Sequence, residues 1–217
     1  MTTTVRVWDL PTRLFHWLLV ILFGVSWWSA ENRAMEWHVL SGTVLLGLVF
    51  FRLIWGLVGG STARFASFVR RPRRVAAYLR GSETAALGHN PLGGYSVIAM
   101  LLLLCVQIGT GLFATDIDGL DSGPLAYLVS FDQGRSAAEV HDAAFNVLLT
   151  LVGLHVLAIA FYVVIRRRNL VRPMVTGTRR DEHCPEGALV PARPLVLVLA
   201  ALAAAGLAWW TSSGLIH

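Results

Sequence analysis

The chain has no lysine: all 18 of its basic residues are arginine, set against 13 Asp and Glu in 217 residues. Charged residues make up only 14% of it, hydrophobic residues 55%, and the mean hydropathy is +0.62. Soluble domains carry about a quarter of their residues as charges, so an ordinary soluble fold is excluded. Cysteine is also scarce. Cys105 falls in an apolar run and Cys184 in a polar segment, which leaves no disulfide framework to expect. "EHCPEG" is not a C-x-x-C-H sequence, which excludes covalent c-type haem attachment by that motif. His183 beside Cys184 offers two ligands without a second pair, short of a zinc site. The N-terminal "VRVWDL" lacks a basic lead-in and no small-x-small site closes the segment before Trp27 and Trp28, so the first apolar stretch is expected to be retained.

What is present is apolar length. Five windows meet the need for roughly 20 mainly apolar residues per membrane helix: about 14–30, 37–59, 94–114, 141–165 and 195–216. The first is short, but Asp9 as a cap and Pro11 behind it let its helix begin before the lipid does. The expected fold class is all-α integral membrane. Arginine then orients it. The tail to residue 13 and the loops 60–93 and 166–194 hold 15 of the 18 arginines, whereas loop 115–140 holds one beside Asp116, Asp118, Asp121, Asp132 and Glu139. The positive-inside rule puts the N-terminus in the cytoplasm and the C-terminus outside. "RRPRR" and "RRR" then read as topology signals and contacts to anionic membrane lipid, not as a nucleic-acid surface.

Histidine inside these segments carries the functional signal, because an ionisable ring in hydrocarbon needs a partner. His16 lies in the first segment, His38 opens the second, and His141 and His155 share the fourth. At 100° and 1.5 Å per residue, the fourteen-residue spacing of His141 and His155 returns them to one face about 21 Å apart. Counted from the outer ends, His38 is level with His141, and His16, fourteen residues before Ala30, is level with His155. The registers match in pairs. Imidazole is a good axial ligand of haem iron, and a helix bundle can present such ligands from facing helices.

Small residues sit on the same faces: Ser41 and Gly42 after His38, Ala144 after His141. They admit either a porphyrin or close helix packing. Arg52, fourteen residues beyond His38, reaches the depth of His16 and His155, where it would pair with a haem propionate or else snorkel to the interface.

"VWDLPTRLFHW", "WHVLSGTVLLGLVFFRLIWG", "GHNPLGGY" and "VHDAAFNVLLTLVGLH" together resemble the bacterial cytochrome b561 family, related to the b-type cytochrome subunits of nickel-iron hydrogenases, over roughly residues 5–170. The resemblance implies a di-haem domain over 1–170, a four-helix bundle with an inner haem b on His16 and His155 and an outer haem b on His38 and His141 as axial iron ligands. Residues 171–217 would form a cytoplasmic loop and a fifth, C-terminal transmembrane helix, which departs from the family's four-helix pattern. Implied function is electron transfer in the bacterial cytoplasmic (inner) membrane between a quinone and a periplasmic partner: a cytochrome c, a dehydrogenase subunit, or superoxide, the last making a superoxide:quinone oxidoreductase. His89 before the third helix would hydrogen-bond a quinone or relay a proton, or merely sit in the "HNPLGG" turn. A haemless membrane anchor or a proton-coupled transporter using paired histidines is the alternative of another class, although no inverted repeat is visible.

Overall fold

Asp9 and Pro11 open the first helix, α1 (Leu10–Glu31), in the computed structural model, which describes residues 3–69, 71–80, 88, 91–181 and 189–213. The amide of Thr12 donates to Asp9 Oδ1 at 3.0 Å, so the carboxylate satisfies one of the orphan donors of the first turn. Proline in that turn has no amide hydrogen to lose. The helix therefore starts four residues ahead of its apolar window. Arg33, at φ 55°, turns the chain into α2 (Met35–Val58). Two short helices follow, α3 (Phe65–Phe68) and α4 (Pro72–Leu79), before α5 (Pro91–Gly111), which again opens on proline.

The fourth long helix, α6 (Phe131–Val164), is 34 residues and begins ten residues earlier than hydropathy indicates. Its start is set by a capping box rather than by lipid. Gln133 N–H donates to Ser130 Oγ at 3.3 Å, while Ser130 N–H donates to Gln133 Oε1 at 3.0 Å. At 1.5 Å per residue this helix is about 50 Å long, well beyond a hydrocarbon core of about 30 Å. His141 consequently lies three turns inside the helix and not at its beginning. A short helix, α7 (Val171–Thr176), and a last long one, α8 (Pro194–Ser213), complete the order. Among the described residues five helices, α1, α2, α5, α6 and α8, are long and apolar enough to cross a membrane.

Contacts cluster the chain into two compact units, each drawing a section from all five long helices. In the first unit (residues 1–15, 52–99 and 152–200) strand β1 (Thr3–Arg6) pairs antiparallel with β2 (Thr178–Asp181). Hydropathy gave no hint of this ribbon. Gly177, at φ 80°, caps α7 in the left-handed region that glycine tolerates, and its carbonyl accepts the Val7 and Trp8 amides at 2.8 and 3.2 Å. Tail and loop are thereby joined at the foot of α1.

In the second unit (residues 16–51, 100–151 and 201–217) small residues bring α8 against α2. A Cβ placed on Gly47 would stand 3.0 Å from the Ala204 carbonyl oxygen and 3.1 Å from Ala208 Cβ. Such contact by small residues is the usual way membrane helices approach, since lipid supplies no hydrophobic drive between them. The stacked rings of Phe23 and Phe145, 6.0 Å between centroids, join α1 to α6 in the same unit.

Candidate functional site

Two of the intramembrane histidines meet. His38 on α2 and His141 on α6 stand with ring centroids 6.0 Å apart and planes at 80°. Each ring is held by its Nδ1. His38 Nδ1 lies 2.9 Å from the Ser26 carbonyl oxygen, and His141 Nδ1 lies 2.8 Å from that of Gln107. A carbonyl only accepts, so both Nδ1 atoms carry a proton, and His141 Nε2 is left to accept from the Gln107 side-chain amide at 3.0 Å. This is the tautomer a metal-ligating imidazole needs, with its other nitrogen anchored to the backbone. The anchors are themselves tied: Ser29, fully buried, donates its hydroxyl to the same Ser26 carbonyl at 2.9 Å.

The donor set fits a metallo-macrocycle better than a bare ion. Two imidazoles on one metal, each with a bond of about 2 Å and about 1 Å more from nitrogen to ring centre, place their centroids about 6 Å apart. Among the described residues no group of three or more His, Cys, Asp or Glu could hold a metal ion. A metal held by His38 and His141 would take its other ligands from elsewhere, as the iron of a haem does, and would displace the Gln107 amide from His141 Nε2.

Space is present on α2. A Cβ on Gly42, one turn after His38, would meet nothing within 4 Å, and the same holds for Gly24 on α1. Ser41 and Ala144, expected alongside Gly42, are instead packed, at 4% and 6% exposure. Of the three small residues, close packing accounts for two. Gln107 went unnoticed in the sequence. Its side-chain Nε2 lies 3.0 Å from His141 Nε2, and its Oε1 is buried without a hydrogen-bond partner. A single amide in the run "LLLLCVQIGTG" was the available signal, since a polar group in an apolar segment needs a reason.

His16 and His155 occupy different units. His16, half-buried on α1, meets the edge of Trp17 at 5.0 Å, and His155 is half-buried on α6. Arg52 is buried, and the Asp9 carboxylate attracts its charge. It is 3% exposed, its guanidinium carbon lies 5.9 Å from the Phe15 ring and 5.0 Å from the Phe65 ring, and Nη1 is buried with no hydrogen-bond partner. Such a cation is attracted to the ring faces, but Nη1 still lacks an acceptor. His89, His183 and Cys184 lie outside the described residues.

A family model described as prokaryotic cytochrome b561 matches residues 7–177. The chain is also similar to a probable Ni/Fe-hydrogenase B-type cytochrome subunit of Azotobacter chroococcum mcd 1, at 25% identity over 82% of this chain and 89% of the relative. A protein of the same description from Azotobacter vinelandii is 24% identical with the same coverage. No solved structure matches.

Proposed function

Because the chain belongs to the prokaryotic cytochrome b561 family and is thus a membrane b-type cytochrome of electron transfer, we propose that it holds two non-covalent haems b. On this reading it passes electrons between a quinone pool and a redox partner on the periplasmic side of the cytoplasmic membrane. The observation that carries the proposal is the His38 and His141 pair, 6.0 Å apart with both Nδ1 protons held by backbone carbonyls. These two are assigned to the outer haem. His16 and His155 are assigned to the inner one, on their matched depth in sequence and the fourteen residues between His141 and His155.

A haem with histidine on both axial positions exchanges single electrons and leaves no open site for O₂. The chain's own residues supply the rest. Backbone carbonyls of Ser26 and Gln107 hold the Nδ1 protons of the two rings. Arg52 is assigned to an inner-haem propionate, because a cation 97% removed from solvent with an unused donor favours a nearby carboxylate. His89 is assigned to the cytoplasmic quinone end, as hydrogen-bond donor to a quinone carbonyl or as proton relay. Arginine counts favour a cytoplasmic N-terminus and a periplasmic C-terminus.

For the periplasmic partner, the similarity to two proteins described as hydrogenase cytochrome subunits favours a dehydrogenase subunit of hydrogenase type over a free cytochrome c or superoxide. Haem content tests the core of the proposal. Acid acetone should extract all haem from the purified protein, and the haem-to-protein ratio should be two. A ratio of one removes the two-site reading, and the absence of reduced-haem absorption bands removes haem altogether.

A further inference from the structure

A cavity of about 270 Å³ opens in the first unit where α1 and α8 both begin, at Leu10 and Pro194. None of the residues assigned above lines it. Its lining is divided: Leu10 and Leu197 are apolar, Asp9 and Trp55 are polar, and Arg6 and Arg13 are cationic. The first polar pair is already satisfied. Asp9 accepts the Thr12 amide on one oxygen and the Trp55 indole N–H on the other, each at 3.0 Å. These donors are neutral and leave Asp9 its negative charge, which the two arginines of the lining together outweigh by one.

Arg13 is the better placed of the two arginines. Its Nη1 donates to the Val175 carbonyl, which fixes the guanidinium against Gly177, where a Cβ would come within 3.2 Å of Arg13 Nε and Cζ. That close approach is open only to glycine, and the left-handed φ of 80° makes the same demand. Held in this way, Arg13 buries its Nε–H with no acceptor. That nitrogen has no accessible surface, so a ligand in the cavity meets the guanidinium through its other atoms. Arg6, exposed on β1, adds a second cation, and the start of the 20-residue α8 adds the positive end of its dipole.

We propose that this cavity binds a single anionic phosphate group, and that the group is the headgroup of a membrane phospholipid. Lipid is favoured over free phosphate by the apolar part of the lining, Leu10 and Leu197, which begin two membrane helices and offer acyl chains a continuous path from the site into hydrocarbon. Arg13 supplies a fixed guanidinium donor and Arg6 a mobile charge. The site anchors tail, loop and both helix starts to one leaflet.

Thermal unfolding of the purified full-length cytochrome, followed by haem absorbance, tests this with three probes: dihexanoyl phosphatidylglycerol, dihexanoyl phosphatidylcholine and inorganic phosphate. Phosphatidylglycerol should raise the midpoint of the wild type by several degrees, and neither phosphatidylcholine nor inorganic phosphate should match it. Arg13→Gln should abolish most of that shift and Arg6→Gln about half, with the reduced-haem spectrum unchanged in both. An equal shift from inorganic phosphate would make free phosphate the occupant and overturn the lipid assignment. Equal responses to the two lipids, or an undiminished phosphatidylglycerol shift in Arg13→Gln, would overturn the site. Should Arg13→Gln fail to fold, Arg6→Gln at the exposed position carries the same test.

Discussion

The indole N–H of Trp55 donates to Asp9 Oδ2 at 3.0 Å, joining the end of α2 to the residue that caps α1, forty-six positions away. One carboxylate therefore does two jobs, and both of its donors are buried. Asp9→Ala removes both the cap and the hydrogen bond from Trp55, a loss of about 2 kcal/mol or more from the cap and the charge-assisted bond together. Asp9→Asn keeps an acceptor for only one donor and should fall between. Unfolding followed by tryptophan fluorescence measures the order wild type, Asn, Ala. Equal midpoints for all three would show that neither bond contributes.

Replacing either member of a ligand pair should remove the same haem. His38→Ala and His141→Ala are expected to lose one haem each and to keep the same remaining spectrum, while His16→Ala and His155→Ala lose the other. Low-temperature spectra and haem quantitation separate the two outcomes. Identical spectra for His38→Ala and His155→Ala would mean that the pairing is crossed.

Arg52 should raise the reduction potential of one haem. A cation beside ionised propionates offsets their charge and makes the added electron less unfavourable, so Arg52→Gln should lower that potential and Arg52→Lys should restore most of it. With an effective dielectric of about 20 and a separation of about 10 Å, one charge contributes on the order of 1.7 kcal/mol. For a one-electron couple, where about 59 mV corresponds to a tenfold change in equilibrium, this is tens of millivolts. A redox titration in which Arg52→Gln leaves both potentials unmoved would assign the buried guanidinium to packing against Phe15 and Phe65.

Orientation follows from arginine placement and is open to reporter fusions. A fusion after residue 80 or 180 should report the cytoplasm, and one after residue 125 the periplasm. A cytoplasmic signal at residue 125 would invert which haem is inner and which outer.

Five membrane helices, the Asp9 cap and the fourteen-residue histidine spacing were all legible in the linear chain. Hydropathy averages over about twenty positions, so span number survives errors of several residues at each end, and helical rise and twist follow from backbone geometry alone. Even the start of α6 was written locally, in Ser130 and Gln133, although hydropathy overlooks a capping box because its residues are polar. Tertiary structure decided what touches what. That Gln107 holds His141, thirty-four positions away, depends on how α5 and α6 are rotated about their own axes. The same dependence buries Arg52 between Phe15 and Phe65 and leaves open space at Gly42 while closing Ser41. In a membrane both sides of a helix can be equally apolar, so composition constrains that rotation weakly, and packing of small residues such as Gly47 against Ala204 sets it instead.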